Sequence, residues 1–130
     1  MSNQVISKSI IKLLSKKKLT LSVAESVTAG ALAAELTSIA GASKVFVGGV
    51  IAYSDQVKIS ELKVKKNDLI KHTAASEQVA IAMAIGARER FNSDIAISTT
   101  GVAGPGRAYG QKAGTAWVGV ASKKECFAVA

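Results

Sequence analysis

The feature that most constrains the fold is a strand, turn and helix unit over residues 19–41. Residues 19–24 (LTLSVA) carry apolar side chains at alternate positions, which is typical of a β-strand. The segment AESVTAG follows, and ALAAELTSIA then has the alanine-rich composition of a helix that ends near Gly41. A strand that leads directly into a helix favours an α/β protein, because the helix must pack on the sheet that the strand joins.

The remaining segments extend this pattern on both sides. Apolar residues at helical spacing predict a first helix over residues 4–17, and residues 45–53 (VFVGGVIAY) predict a strand that contains two glycines. A short helix is expected over residues 55–62, and a long helix follows Ser76, its predicted N-cap, as far as Phe91. DIAISTT reads as a buried strand, and TAWVGVA and CFAVA as two more.

These elements predict one α/β domain over residues 1–130, a three-layer arrangement in which a mixed β-sheet is flanked by helices. The formal net charge is +8, and nine of the lysines lie in two groups, over residues 8–18 and 63–71. Neither group is interleaved with aromatic residues, so we interpret both as solvated helix faces and regard nucleic acid as a poor candidate partner.

No apolar stretch approaches the roughly 18 residues of a membrane helix, so we expect no membrane association and a location in the cytoplasm. Cys126 is the only cysteine, and we expect it to pack as a small apolar side chain.

Candidate functional residues lie at the ends of these elements. Ser26, Thr28 and Gly30 stand at a helix N-terminus, where free N–H groups can hold a phosphate or carboxylate, although simple helix capping explains the same residues. The segment GVAGPG allows close approach of backbone to a ligand, and Pro105 fixes a turn there.

Hydrolysis of an amide without a metal needs a nucleophile, a proton acceptor and donors for the oxyanion. The single histidine, His72, precedes a helix, and capping or exposure explains it better than catalysis. Ser43 and Lys58 offer a serine and lysine pair. Lys58 would need a lowered pKa to act as a base, and an exposed structural lysine is the alternative.

Together, AESVTAG, GASKVFVGGVIAYSDQVK, HTAASEQVAIAMAIGARER, TTGVAGPG and KAGTAWV resemble the CinA C-terminal domain family, which includes nicotinamide mononucleotide amidohydrolases. The resemblance covers about residues 20–120. It implies hydrolysis of nicotinamide mononucleotide to nicotinate mononucleotide and ammonia, with a serine and a lysine and with no metal or cofactor. It also implies a homo-oligomer.

The resemblance assigns roles to individual residues. Ser43 matches the nucleophile and Lys58 the general base, while Tyr53 orients the lysine or its proton path. The positions that match the substrate site are Ser26, Thr28, Gly30, Thr100, Gly101, Gly104 and Pro105.

Two points of the sequence complicate this assignment. Val27 stands where the family often has cysteine, and the sequence stops at Ala130, before the arginine-bearing segment and final helix that family members usually carry. We therefore expect uncovered apolar sheet surface. A weakened nucleotide-binding module and a basic nucleic-acid interaction protein stay as alternatives.

Residues 46–52, if fully extended, span about 20 Å, which separates Ser43 from Lys58. Their contact would require a bend at Gly48 and Gly49 or a lysine from a neighbouring subunit.

Overall fold

The structure, a computed structural model, describes residues 2–106, 108 and 110–130. Five strands form one mixed sheet in the order β2-β1-β3-β4-β5. The strands are β1 (Leu21–Glu25), β2 (Phe46–Ile51), β3 (Ile95–Gly101), β4 (Ala116–Ser122) and β5 (Cys126–Val129). β1 runs parallel to β2 and β3, whereas β4 runs antiparallel to β3 and to β5. The carboxyl ends of the three parallel strands therefore meet at one edge of the sheet.

Five helices cover the two faces of this sheet. They are α1 (Asn3–Lys17), α2 (Ala31–Thr37), α3 (Asp55–Leu62), α4 (Lys66–His72) and α5 (Glu77–Phe91), and a short 3-10 turn spans Ala42–Lys44. Ile11, Leu14 and Leu36 of α1 and α2 join Leu21 and Val23 in one buried cluster. A second cluster, on the opposite face, joins the strands to α3, α4 and α5. The predicted three-layer α/β fold is confirmed.

Local sequence explains where the longest helix begins and how closely it packs. Ser76 is the N-cap of α5, as predicted, because its side-chain oxygen accepts a 3.2 Å hydrogen bond from the N–H of Val79. Gly86 faces α3, and a Cβ there would overlap the carbonyl oxygen of Leu62. The absence of a side chain at Gly86 thus lets two helices approach closely and fixes the position of α3.

Two details differ from the sequence predictions. The sequence did not predict α4, because Leu69 is its one buried residue and it shows no apolar periodicity. The expectation that Cys126 packs inside is wrong, because β5 is an edge strand and the thiol is exposed. Apolar side chains are also exposed on β4 and β5, namely those of Val118, Phe127 and Val129.

Candidate functional site

A pocket of about 340 Å³ lies at the carboxyl ends of β1 and β3. Its walls come from the turn after β1, the segment from the end of β2 into α3, the segment after α4, and the loop after β3. The lining residues are Ser26, Val27, Tyr53, Lys58, Ala74, Gly101, Val102, Ala103, Gly104, Gly106 and Ala108. Ligands of α/β proteins commonly bind at this edge of the sheet, so the pocket is the natural candidate site.

Ser26 follows β1 immediately and is 7% exposed. Its N–H donates to the carbonyl oxygen of Thr99 at 2.9 Å, so the neighbouring strand β3 holds the start of the turn. Among the described residues the Ser26 hydroxyl has no hydrogen-bond partner. A buried serine that leads from a strand into a helix, with its oxygen unengaged, is well placed to act on a ligand.

The segment that carries Tyr53 and Lys58 is held beside this turn. The N–H of Ala52 donates to the carbonyl oxygen of Glu25 at 2.7 Å, which ties the residue before Tyr53 to the residue before Ser26. Ser54 then caps α3 by accepting from the N–H of Val57 at 3.2 Å. The backbone therefore brings the Ser26 turn and the start of α3 to the same pocket.

Lys58 is the largest fully buried side chain among the described residues, with 1% exposure. Its Nζ donates to the carbonyl oxygen of Tyr53 at 3.1 Å and lies 3.6 Å from Asp55 Oδ1. Burial lowers the pKa of Lys58, because the charged form loses hydration, and the negative charge of Asp55 opposes this effect without reversing it. The Lys58 amine therefore gives up its proton more readily than an exposed lysine does.

The N-terminus of α2 is occupied by a side chain of the protein itself. Both carboxylate oxygens of Glu25 accept hydrogen bonds: Oε1 from the N–H groups of Gly30 and Leu32, at 3.1 and 2.9 Å, and Oε2 from that of Ala33, at 2.8 Å. The idea that these N–H groups hold a phosphate or carboxylate of a ligand is therefore wrong. The sequence could not reveal this, because Glu25 reaches the helix from the preceding strand.

Thr28 and Gly30 lie behind the pocket wall. The Thr28 hydroxyl donates to Glu25 Oε1 at 2.5 Å and shares a 2.7 Å hydrogen bond with the Thr99 hydroxyl. Neither Thr28 nor Gly30 is among the residues that line the pocket. In this structure both support the Ser26 turn.

The loop after β3 forms the opposite wall. Gly101 and Gly104 line the pocket, whereas Pro105, joined to Gly104 by a cis peptide bond, does not. Thr100 is not among the lining residues either, and its hydroxyl donates to the carbonyl oxygen of Ala74 at 2.7 Å. This bond holds the segment after α4 against β3 and so positions Ala74 in the lining.

The described residues contain no cluster of three His, Cys, Asp or Glu side chains that could hold a metal ion. Nor does any helix in the described part of the chain have the length and apolar character needed to cross a membrane.

Comparison with known proteins identifies the family. The profile of the CinA C-terminal domain matches residues 3–130. The chain belongs to this family. A competence-damaged protein (CinA) superfamily protein from Escherichia coli has a similar structure, with a TM-score of 0.95 and 32% identity over 98% of this chain and 75% of that one. The competence/damage inducible protein CihA from Agrobacterium tumefaciens gives a TM-score of 0.93 and 31% identity, over 99% of this chain and 82% of that one.

Sequence relatives in the CinA family are longer. A CinA-like protein from Chlorobaculum tepidum is 46% identical over 115 residues, which are 88% of this chain and 27% of that protein. A CinA-like protein from a Synechococcus species is 53% identical over 96 residues, 74% of this chain and 23% of its own length. The chain thus spans about a quarter of the length of these curated relatives.

Within this CinA domain, Ser43 does not share the pocket of Lys58. It is exposed in the 3-10 turn that precedes β2, whereas Lys58 follows β2 by seven positions. β2 stays extended from Phe46 to Ile51 despite a register shift near Gly48. The two residues therefore lie at opposite ends of the strand in one chain, and Ser26 is the serine that shares the pocket with Lys58.

Several site residues received no individual role in the sequence prediction. Val102, Ala103 and Gly106 line the pocket and belong to the GVAGPG segment, which the sequence indicated only as a whole. Val27, Ala74 and Ala108 also line it, and the sequence assigned none of them a role. Asp55 is different, because an acidic residue three positions before a lysine at a helix start indicates contact between the two side chains.

Proposed function

We propose that this chain is an amidohydrolase that converts nicotinamide mononucleotide and water to nicotinate mononucleotide and ammonia, with a serine nucleophile and a lysine base and without a metal ion. The observation that carries the proposal is the buried Lys58, with a lowered pKa, in the same pocket as Ser26. The choice of substrate comes from the family resemblance. A pocket of about 340 Å³ is within the usual size range for small-molecule sites.

In the proposed reaction the Ser26 hydroxyl oxygen attacks the carboxamide carbon, and the neutral Lys58 amine takes the hydroxyl proton. The tetrahedral intermediate then breaks its C–N bond, and Lys58 gives that proton to the departing nitrogen, which leaves as ammonia. Water attacks the resulting ester while Lys58 accepts a proton from it. The ester C–O bond breaks as Lys58 returns its proton to the Ser26 oxygen, and the product acid gives its own proton to water and leaves as the nicotinate carboxylate.

The turn after Ser26 offers donors for the oxyanion. The N–H groups of Val27 and Thr28 have no hydrogen-bond partner among the described residues, and Val27 lines the pocket. A backbone N–H next to the nucleophile is a common oxyanion donor in acyl transfer. We assign the Val27 N–H this role, which costs no reorganisation because the turn is held by Glu25 and Thr99.

The loop after β3 supports recognition of the phosphate. The N–H groups of Ala103, Gly104 and Gly106 make no hydrogen bond to a described residue, and all three residues line the pocket. Successive free N–H groups in a glycine-rich loop form a concave site for anions. We therefore propose that this loop holds the phosphate and the α2 N-terminus does not.

The nucleophile that we propose, Ser26, differs from the one that the family resemblance implied. Ser43 can act with Lys58 only if a second copy brings its turn to the pocket. The apolar side chains of Val47 and Ile51 are exposed on the edge strand β2, which supports a homo-oligomer. Substitution of each serine distinguishes the two assignments.

A weakened nucleotide-binding module is the second candidate. It is favoured by the pocket's charge, because Lys58 is the one charged side chain among the described lining residues. This candidate predicts saturable binding of nicotinamide mononucleotide in a calorimeter without ammonia release. We place either function in the cytoplasm, where the exposed free thiol of Cys126 would stay reduced.

The test is to incubate the purified chain with nicotinamide mononucleotide, to measure ammonia and to separate the products by chromatography. We expect ammonia and nicotinate mononucleotide in equal amounts, and a loss of both in the Lys58→Met variant. Free nicotinamide as the product would indicate cleavage of the glycosidic bond and would reject the amidohydrolase. Binding without any product would favour the second candidate.

A further inference from the structure

The contact between Lys58 and Asp55 goes beyond the residues that the proposed mechanism uses. Asp55 is the first residue of α3 and lies one helical turn before Lys58. Its carboxylate is 49% exposed, whereas the lysine side chain that it contacts is 2% exposed. Asp55 therefore stands between a buried amine and the solvent.

We infer that Asp55 is a positioning residue for Lys58: its carboxylate, 3.6 Å from Nζ, directs the amine and tunes its readiness to accept a proton from the nucleophile. The inference rests on the proposed function, because it concerns the base of that reaction. Asp55 itself does not line the pocket and is not expected to touch the substrate.

Geometry supports a specific role, because few other groups act on the amine. The Tyr53 carbonyl oxygen accepts from Nζ at 3.1 Å but carries no full charge. The Tyr53 phenol is the other titratable group of the described lining. On α5, which packs against α3, Arg90 reaches that helix but pairs with Glu61 at 2.9 Å. Asp55 is thus the carboxylate that pairs with Lys58 within the described residues.

The electrostatic effect has a definite sign. A nearby negative charge favours the ammonium form, so Asp55 raises the pKa of Lys58 against the larger lowering by burial. Removing the charge leaves burial unopposed, and the amine then loses its proton at lower pH. A base with a lower pKa is also weaker, so the rate at high pH should fall.

The experiment compares Asp55→Asn, Asp55→Glu and the unmodified chain. Glu61→Gln is the matched control, because it removes one negative charge from the same helix without contact with Lys58. Ser54 caps α3 in all four proteins, so the helix start is preserved. Two quantities are measured: the pH profile of kcat for ammonia release, and the titration of the Lys58 side chain by NMR of isotopically labelled lysine, assigned with Lys58→Met.

In Asp55→Asn we expect the acidic limb of the profile and the Lys58 titration to move together to lower pH, with plateau kcat reduced by roughly tenfold or less. In Asp55→Glu, the pH profile and the Lys58 titration should lie close to those of the unmodified chain. Glu61→Gln should leave both quantities unchanged. A titration that does not move in Asp55→Asn overturns the inference, even if the thermal stability falls.

The NMR titration separates this inference from the proposed function. If no protein releases ammonia but the Lys58 titration still moves with Asp55, the proposed reaction fails and the coupling of the two side chains stands. If ammonia is released and neither the profile nor the titration moves, the reaction stands and Asp55 has no role in it.

Discussion

The Nζ atom of Lys58 donates a 3.1 Å hydrogen bond to the backbone carbonyl oxygen of Tyr53, which lies five positions earlier, just before the N-cap of α3. Lys58 thus folds back over the start of its own helix, while the Tyr53 side chain remains 63% exposed at the pocket mouth. The sequence predicted that both residues belong to the site, but it could not predict this hydrogen bond, which depends on the burial of Lys58. Lys58 is 1% exposed, and burial of its ammonium form costs free energy. Buried ionisable side chains with shifted pKa values are concentrated at functional sites, as expected for a catalytic base.

We expect the Lys58→Met variant to lose activity, because it lacks the proposed base. We also expect it to gain stability, because it no longer buries an ammonium group. Methionine fills a similar volume without a charge, so kcat should fall by about 10²–10⁴-fold while the free energy of unfolding rises. The folded-state pKa is lowered, so the unfolded chain binds more protons as pH rises from that pKa towards 10.5. The stability of the unmodified chain should therefore rise in this range and approach that of the variant.

Thermal unfolding of both proteins, at neutral pH and at several values up to pH 10.5, tests this prediction. A variant that is less stable than the unmodified chain at neutral pH would show that the ammonium contributes favourably to the fold.

Glu25→Gln should destabilise the protein, because the carboxylate is 1% exposed and satisfies three N–H groups around the start of α2. A glutamine offers one oxygen, and its NH₂ group would face N–H donors. We expect the free energy of unfolding to fall by about 2–3 kcal/mol, which corresponds to a fall of roughly 10 °C in Tm.

Glu35→Gln is the matched control for this substitution. Glu35 lies on α2, the helix that Glu25 caps, and accepts one 3.3 Å hydrogen bond from the Ser7 hydroxyl. Loss of this bond should lower the free energy of unfolding by about 1 kcal/mol or less. Equal effects of the two substitutions in thermal unfolding would refute the capping role of Glu25.

Thr73→Gly should stabilise the protein. Thr73 has φ 67° and ψ 164°, a conformation that essentially only glycine adopts without strain, and its buried hydroxyl has no partner among the described residues. Relief of strain and of the unpaired hydroxyl should exceed the entropy cost of glycine by about 1 kcal/mol.

Thr73→Ala separates these two contributions, since it removes the hydroxyl and keeps the strain. Its gain in the free energy of unfolding, measured with urea, should be smaller than that of Thr73→Gly. A lower stability for Thr73→Gly than for the unmodified chain would contradict the explanation.

Much of the fold was predictable because its local patterns agree with its packing. The strands β1 and β3 carry short apolar runs that indicate strands, and Ser76 indicates the start of α5 because serine is a favoured N-cap residue. By contrast, α4 could not be predicted, because a single buried leucine gives no period. The exposure of Cys126 was missed because sequence does not reveal which strand lies at the sheet edge.

The candidate site was predictable as a set of loops but not as a set of contacts. Sequence placed Ser26, Tyr53, Lys58 and Gly101 at element ends, and these four residues do line one pocket. It could not determine which serine shares a pocket with Lys58, because that depends on the direction of β2 relative to β1. Parallel pairing of these strands puts Ser26 at the end where Lys58 lies and Ser43 at the other.

The most direct test of this account is the rate of ammonia release from nicotinamide mononucleotide by Ser26→Ala and Ser43→Ala, measured beside the unmodified chain. We predict that Ser26→Ala lowers kcat by about a thousandfold or more, as loss of a nucleophile does, and that Ser43→Ala stays within a few-fold. Full activity of Ser26→Ala together with an inactive Ser43→Ala would contradict the account and assign the reaction to a site shared between two copies.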